Sequence, residues 1–162
     1  RPVDYALRKQ YLAEIEGVGE DQRAGYLPEL LAQHADGRVK FFTVYHALQC
    51  RNRLAGLFAK GAYTPVPASG PHADHVVAFL RGNADGAVLV VTPRFPARLV
   101  AQGEWPLGEK VWGDTALTLP AEMEGKTWRD VYTGVRLRTG NRVSLAQLLS
   151  RFPVAVLTFG ND

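Results

Sequence analysis

The chain has 162 residues, of which 46% are apolar and 22% are charged, proportions typical of a globular chain that can bury a core. Its net charge of +3 comes from 19 Lys and Arg against 16 Asp and Glu, and the basic residues are scattered. Nucleic-acid-binding proteins concentrate positive charge on one face, so we expect no nucleic-acid partner. No apolar run approaches the ~18 residues that a membrane helix needs, so we expect no membrane partner.

The sequence predicts a cytoplasmic protein. Its single cysteine, Cys50, cannot form an internal disulfide, which suits a reducing compartment. The segment from Arg1 to Tyr5 lacks the apolar region of a signal peptide. The neighbours of Cys50 do not assemble a Cys/His nucleophile, so we interpret Cys50 as a structural residue on a helix.

Apolar residues up to about residue 60 recur at the spacing of amphipathic helices. We expect Pro28 in the first turn of the second helix and a ragged end of the third near Gly61. The three predicted apolar stripes consist of Val3, Leu7, Tyr11 and Ile15; of Leu27, Leu30 and Leu31; and of Phe41, Val44, Tyr45 and Leu48.

After Gly61 the apolar residues form short runs separated by turn residues, which predicts strands. The segment Asn83-Ala84-Asp85-Gly86 is a hairpin signal, and a short helix is expected near Leu145–Ser150. The predicted strands are Tyr63–Val66, His75–Arg81, Ala87–Pro93, Ala116–Leu119, Thr127–Tyr132, Val135–Arg138 and Val154–Phe159.

This order of elements predicts an α+β protein. Residues 1–60 form a helical segment, and residues 61–162 form an antiparallel β-sandwich, because short strands follow one another without long helices between them. The boundary is a change of period rather than a flexible linker.

No catalytic or cofactor site is visible in the residues. His72 and His75 are three positions apart, but Gly70-Pro71 precedes them, so a surface loop explains them better than a metal site. Phosphate-binding glycine motifs and a nucleophile elbow are absent from the sequence. We therefore expect no metal, no cofactor and no catalytic residue in this chain.

The junction between the helices and the strands carries a resemblance to a known superfamily. The segments Leu48–Arg53 and Leu57–Tyr63 resemble the exit from the last barrel helix of α-amylase-type glycosidases, where a glycine ends the helix and an aromatic residue opens a β-sandwich.

Within that superfamily the chain resembles the C-terminal part of the maltooligosyltrehalose synthases, over essentially its whole length. Cys50 and the Phe41-Phe42 pair depart from the family pattern, and neither concerns its chemistry. The stretches that carry the resemblance are Arg1–Tyr5, Asp36–Lys40, His75–Arg81, Val88–Val91, Pro93-Arg94, Trp112–Thr115, Leu117–Pro120, Trp128–Gly134 and Phe152–Leu157.

The resemblance implies an enzyme that converts the reducing-end α-1,4 linkage of a maltooligosaccharide into an α,α-1,1 linkage, an isomerase reaction. Family members place three catalytic carboxylates on loops at one face of a (β/α)₈ barrel, upstream of the part that this chain resembles. The implied partners are the upstream catalytic barrel and the maltooligosaccharide. The helical segment is then the end of the barrel wall, and this chain alone is inactive.

Five residues are candidates for contact with substrate. Arg1, Asp4 and Tyr5 follow the last barrel strands in the resemblance, although helix capping and packing explain them as well. Trp105 and Trp112 stack on sugar rings if their indoles are exposed, and belong to the core otherwise.

Three functions remain open from the sequence. The leading hypothesis is a structural tail that supports the barrel. The second is a glucan-binding sandwich that uses exposed tryptophans, and the third is an unrelated small enzyme.

We also expect the isolated chain to self-associate, because the apolar helix faces that would pack on the barrel are left uncovered.

Overall fold

A computed structural model of the chain describes residues 3–83 and 85–160. Most of the helices in these ranges lie in the first part of the chain. They are α1 (Tyr5–Gly17), α2 (Arg23–Ala32), α3 (Arg38–Arg53), α4 (Ala55–Lys60), α5 (Gly108–Trp112) and α6 (Leu145–Leu148). The change from helices to strands falls at Gly61, where the sequence predicts it.

Two antiparallel sheets follow α4. Their strands are β1 (Ala62–Pro65), β2 (Ala68–Ser69), β3 (Val76–Gly82), β4 (Ala87–Pro93), β5 (Ala116–Thr118), β6 (Thr127–Asp130), β7 (Arg136–Arg138), β8 (Arg142–Ser144) and β9 (Ala155–Phe159). One sheet has the order β1-β3-β4-β9-β6-β7 and the other has the order β2-β5-β8. Every pairing among the described strands is antiparallel. The predicted α+β class is confirmed.

The two sheets share one apolar core. Leu89 on β4 packs there with Leu117 on β5 and Val143 on β8. Trp112 on α5 and Leu145 on α6 join the same core, and both are fully buried. These two short helices therefore close the space between the sheets where no strand does.

The long helices cover the opposite face of the six-stranded sheet. Successive strand residues point to opposite faces, so Val88 on β4 and Val156 on β9 point away from the core between the sheets. Both belong to a second apolar core with Ile15, Phe42 and Phe152. The six-stranded sheet is consequently the middle of three layers.

Polar contacts also join the helical layer to the sheet. The Arg23 Nη1 donates a hydrogen bond of 2.7 Å to the carbonyl oxygen of Val131, just beyond β6. Arg129 on β6 forms an ion pair with Glu20, which lies in the turn before α2. The start of α2 is thus held against the end of β6 by two guanidinium groups.

The apolar stripe predicted for α3 is only half right: Phe41 and Tyr45 pack against the core under the helices, whereas Val44 and Leu48 do not. Val44 and Leu48 are 48% and 51% exposed, whereas Phe42, His46 and Cys50 are buried. Phe42, His46 and Cys50 follow one another at intervals of four residues, so they form a second face of the same helix. The sequence pattern identified the helix correctly, but its stripe included the exposed Val44 and Leu48 and left out the most buried residues of the helix.

Only the second half of α1 contacts the rest of the chain closely. All residues from 3 to 10 are exposed, including Val3 and Leu7 of the predicted stripe, and Ile15 is the buried residue of the helix. The first two turns of α1 therefore have no apolar support from the described residues.

Several short elements differ from the sequence prediction. Pro28 lies inside α2 rather than in its first turn, because α2 already begins at Arg23, before the apolar stripe starts. The elements α5, β2 and β8 were not predicted, since two to five residues are too few to show a period.

Among the described helices, none combines the length and the apolar character that crossing a membrane would require.

The two faces of α3 should respond differently to truncation. Phe42→Ala removes a fully buried ring and should lower the free energy of unfolding by about 3–5 kcal/mol, because it leaves a cavity. Leu48→Ala on the exposed face should change it by less than about 0.5 kcal/mol. Urea unfolding followed by circular dichroism measures both, and equal losses would contradict the assignment of the two faces.

Candidate functional site

The N-terminal candidates do not form a site in the structure. The Asp4 Oδ1 accepts a hydrogen bond of 2.9 Å from the backbone N–H of Leu7, which makes Asp4 the N-cap of α1. Tyr5 is 72% exposed in the first turn of that helix. Arg1 lies outside the described residues. Capping accounts for the position of Asp4 without a substrate.

Trp112 does not have the exposure that stacking on a sugar requires. It is fully buried between the sheets, and its Nε1 donates a hydrogen bond of 2.8 Å to the carbonyl oxygen of Pro106. Both its ring faces and its polar atom are therefore used inside the core. Of the two positions that the sequence left open for Trp112, the structure has the one in the core.

Trp105 is half-buried and lies beside α3. Its Nε1 donates a hydrogen bond of 3.1 Å to the carbonyl oxygen of Leu31 at the end of α2. The ring of His34 meets it edge to face, with centroids 5.6 Å apart. The indole is thus held in place by α2, and its polar atom is already paired.

An open groove of about 280 Å³ runs between Trp105 and α3, and we call it the α3 groove. Its walls are almost entirely apolar, with Lys40 as the one charged residue among those that line it. The lining residues are Val39, Lys40, Thr43, Val44, Trp105, Phe152, Pro153 and Val154. Leu48 follows Val44 by one turn of α3, so the exposed apolar face of the helix continues from the groove.

The chemistry of the α3 groove favours an apolar protein surface over a sugar. Sugar sites need several hydrogen-bonding groups as well as an aromatic platform, and here only Lys40 and Thr43 offer polar side chains. The Thr43 hydroxyl already donates to the carbonyl oxygen of Val39 at 2.7 Å. Asp4, Tyr5 and Trp112 are not among the described residues that line the groove.

The described residues hold no cluster of metal-ligating type. No group of three His, Cys, Asp or Glu side chains in residues 3–83 and 85–160 is placed to bind a metal ion. The rings of His72 and His75 are 6.1 Å apart, with no third ligand of that kind. Cys50 is a buried free cysteine, and burial raises the pKa of its thiol, which lowers its reactivity.

One buried carboxylate was interpreted from the sequence only as a turn or strand-end residue. Asp130 ends β6, and it accepts hydrogen bonds from the backbone N–H of Tyr132 at 3.1 Å and from the Thr133 hydroxyl at 2.7 Å. Gly134 completes the turn with a φ of 73°, a value that glycine adopts without strain. Burial raises the pKa of Asp130 to about 6. The turn assignment is confirmed, and the perturbed pKa follows from burial rather than from a catalytic partner.

Comparisons with known proteins show which proteins this chain resembles. No family profile matches the chain. Two curated relatives, described as putative maltooligosyl trehalose synthases of two strains of Mycobacterium tuberculosis, are each 33% identical over 161 residues, which is 99% of this chain. The solved maltooligosyltrehalose synthase from Arthrobacter ramosus and a mutant of it superpose with a TM-score of 0.67 at 30% identity over 97% of this chain.

The chain is homologous to a C-terminal portion of the maltooligosyltrehalose synthases. The resemblance found in the sequence is thereby confirmed. The chain spans only 16% of the length of the curated relatives and 17% of the solved synthase. Most of each relative therefore has no counterpart in the described fold.

The buried Asp130 should make stability depend on pH in a defined direction. Its pKa rises from the usual 3.8 to about 6 on folding, so its contribution to stability is present below about pH 4 and is lost as the pH rises through 6. Asp130→Asn keeps one of the two acceptor oxygens and removes the titration. The free energy of unfolding of the wild type minus that of Asp130→Asn should therefore fall by up to about 3 kcal/mol between pH 4 and 7.

Urea unfolding of both proteins at several pH values measures this difference. Subtracting the variant removes the contribution of His46, whose pKa burial lowers to about 4 and whose effect on stability has the opposite sign. A difference that stays constant across this range would show that Asp130 is not desolvated in the folded chain.

Proposed function

We propose that this chain is the non-catalytic C-terminal part of a maltooligosyltrehalose synthase and that it supports the catalytic barrel. In this proposal the long helices complete the barrel wall, and the two sheets brace them from behind. The reaction of the whole protein would be the conversion of the reducing-end α-1,4 linkage of a maltooligosaccharide to an α,α-1,1 linkage. The catalytic carboxylates would belong to the upstream part.

The observation that carries this proposal is the uncovered apolar surface of the helical layer. Val44 and Leu48 on α3 are exposed, Val44 also lines the apolar α3 groove, and Leu7 on α1 is exposed as well. Apolar surface such as the groove and the adjoining face of α3 is typical of a protein interface. The relatives extend far beyond the matched 16% of their length, so an upstream part of the same protein is the occupant that we propose.

Three partly or fully buried carboxylates of this chain fit an inactive role. Glu14 pairs with Arg38 and accepts a hydrogen bond from the Tyr26 hydroxyl. Glu20 is neutralised by Arg129, and Asp130 holds a turn. Glycoside chemistry requires two carboxyl groups that face each other across a substrate cleft. These three acids instead serve contacts within the fold.

The alternative of a glucan-binding sandwich has weaker support. Of its two named tryptophans, Trp112 is buried and Trp105 has its Nε1 bonded to Leu31. The α3 groove offers few polar groups for sugar hydroxyls.

We also propose the cytoplasm as the compartment, since the buried thiol of Cys50 suits a reducing environment.

The isolated chain should not act on maltooligosaccharides. Incubated with maltoheptaose, it should cause no loss of reducing ends, because the carboxylates that the family uses lie outside it. An amide NMR titration with the same sugar should show no saturable shifts around Trp105. Turnover would overturn the proposal, and saturable shifts at Trp105 without turnover would favour the glucan-binding alternative.

A chimera tests the supporting role directly. This chain would replace the matching segment of the Arthrobacter ramosus synthase, and the rate of reducing-end loss would be measured. Leu48→Asp places a charge in the proposed interface and should reduce activity and thermal stability of the chimera together. Gln102→Asp adds the same charge on an exposed turn and should leave both unchanged. Equal behaviour of the two variants would argue against the interface.

The uncovered face should also make the free chain self-associate. Light scattering over a range of protein concentrations should show a mass above that of the monomer as the concentration rises, since burying exposed apolar surface is favourable. Leu48→Asp should shift this association to higher concentration, whereas Gln102→Asp should not. A monomer mass at all concentrations would contradict the prediction.

A further inference from the structure

A polar pocket of about 310 Å³ lies where the helical layer meets the six-stranded sheet, and we call it the α1–α3 pocket. The end of α1, the start of α2 and the second half of α3 form it together with β6 and β9. Ile15, Val18 and Val131 are apolar residues of its wall, and most of the other lining residues carry polar side chains. It shares no lining residue with the α3 groove, so it is a separate feature of the described fold.

Two buried nitrogen atoms at this pocket have no hydrogen-bond partner among the described residues. They are the Nε of Arg23 and the Nε2 of His46, and both residues line the pocket. His46 is only 7% exposed, and the rings of Phe42 and Tyr45 meet its ring edge to face, with centroids 4.4 and 5.1 Å away. Buried polar groups are normally paired, so the fold alone leaves the hydrogen bonding of this place incomplete.

The polar side chains of the α1–α3 pocket lie close to one another. The charge of Arg23 acts on both His46 and Tyr45. The Tyr45 hydroxyl in turn interacts with the side chains of Glu16 and Gln49, which are exposed. All five residues line the pocket, so donors and acceptors are within reach of a single small molecule.

The charges at the pocket are balanced, which argues against an ionic ligand. Its three guanidinium groups belong to Arg23, Arg53 and Arg129. Arg129 is paired with Glu20, and the carboxylate of Glu16 lines the pocket itself. Burial lowers the pKa of Arg23, and the charge of the nearby Asp130 opposes this effect. With a pKa of about 6, Asp130 is mostly ionised at neutral pH, so an ion of either sign would gain little here.

A neutral ligand rich in hydroxyl groups matches this wall. A hydroxyl both donates and accepts hydrogen bonds, so it can bond to a guanidinium group and to a carboxylate at once. Burial and the charge of Arg23 lower the pKa of His46 to about 4, so its ring is neutral at pH 7 and its Nε2 can donate or accept according to the tautomer. The ring of Tyr45 and the apolar residues of the wall offer contact for the C–H groups of such a ligand.

We propose that the α1–α3 pocket binds a neutral sugar of one or two rings. Its hydroxyl groups would bond to Glu16, Gln49 and Arg53 at the rim and would supply the partners that the Arg23 Nε and the His46 Nε2 lack. These two atoms lie beneath the surface of the pocket, so the exposed rim side chains turn aside first, and exposed side chains change rotamer readily. A volume of about 310 Å³ is that of a small-molecule site, and the sugar is bound there without being converted.

This inference goes beyond the proposed function and does not depend on it. It uses neither the exposed face of α3 nor Trp105, so the chimera and this site fail or succeed separately. It also differs from the glucan-binding alternative, because no tryptophan lines the α1–α3 pocket.

Amide NMR titrations of the chain with maltose and, separately, with sodium acetate at constant ionic strength test the site. We expect saturable shifts with maltose at millimolar concentrations, centred on Gln49, Arg53 and Arg129, and no saturable shifts with acetate. The imidazole nitrogen signal of the His46 Nε2 should move in the maltose titration, since this atom gains a hydrogen-bond partner.

Two variants on the same helix make the test specific. Arg53→Ala removes an exposed guanidinium group that has no ion pair among the residues that the structure describes, so the chain should still fold. It should weaken maltose binding by about tenfold, because it removes a charged donor. Arg51→Ala removes the same side chain from an exposed position of α3 that does not line the pocket, and it should have no effect.

Each other outcome would overturn the proposal. Absence of saturation by maltose would exclude the ligand class, and shifts confined to another surface would exclude the site. Acetate binding with the same shifts would make the pocket an anion site. A His46 signal that stays in place while the amides shift would exclude the role given to the buried atoms. An equal loss in Arg53→Ala and Arg51→Ala would show that the charge of the helix, and not the pocket, accounts for the binding.

Discussion

The burial of β4 and β9 on both faces is the constraint on which the rest of the structure depends. Leu89 and Leu157 fill the core between the sheets, and Val88 and Val156 point into the core under the helices. Two adjacent antiparallel strands therefore belong to two hydrophobic cores at once. Neither the helical layer nor the small sheet could bury its apolar face without this pair, because each has the six-stranded sheet as its main support.

Much of the strand pattern follows from the sequence for the same reason. The run Ala87–Pro93 was predicted with the bounds that the structure has, since a strand buried on both faces is a continuous apolar run ended by turn residues. The helix-to-strand junction was also predicted at the right place, because Gly61 separates two clear periods. The resemblance to the synthases then supplied what periodicity does not, namely which larger fold such a segment belongs to.

The buried side of α3 and the positions of the tryptophans were beyond the sequence. Phe41 and Phe42 are adjacent and both contact the core under the helices, so the apolar pattern alone does not show on which of the two the buried side is centred. Trp112 lies on a five-residue helix with too few residues to show a face. A cavity of about 310 Å³ between the edges of the two sheets brings together residues of β7, β8 and α6, and no local sequence pattern predicts that these edges lie side by side.

The two-sided character of α3 has a thermodynamic consequence for the whole molecule. The helix that carries Phe42 into the core also carries Leu48 on its outer side. A partner that covered that outer side would bind the folded helix and not the unfolded chain, and it would therefore stabilise the folded state by mass action. The stability of the chain alone would then be a lower limit, and the partner and the inner core would reinforce each other through this one helix.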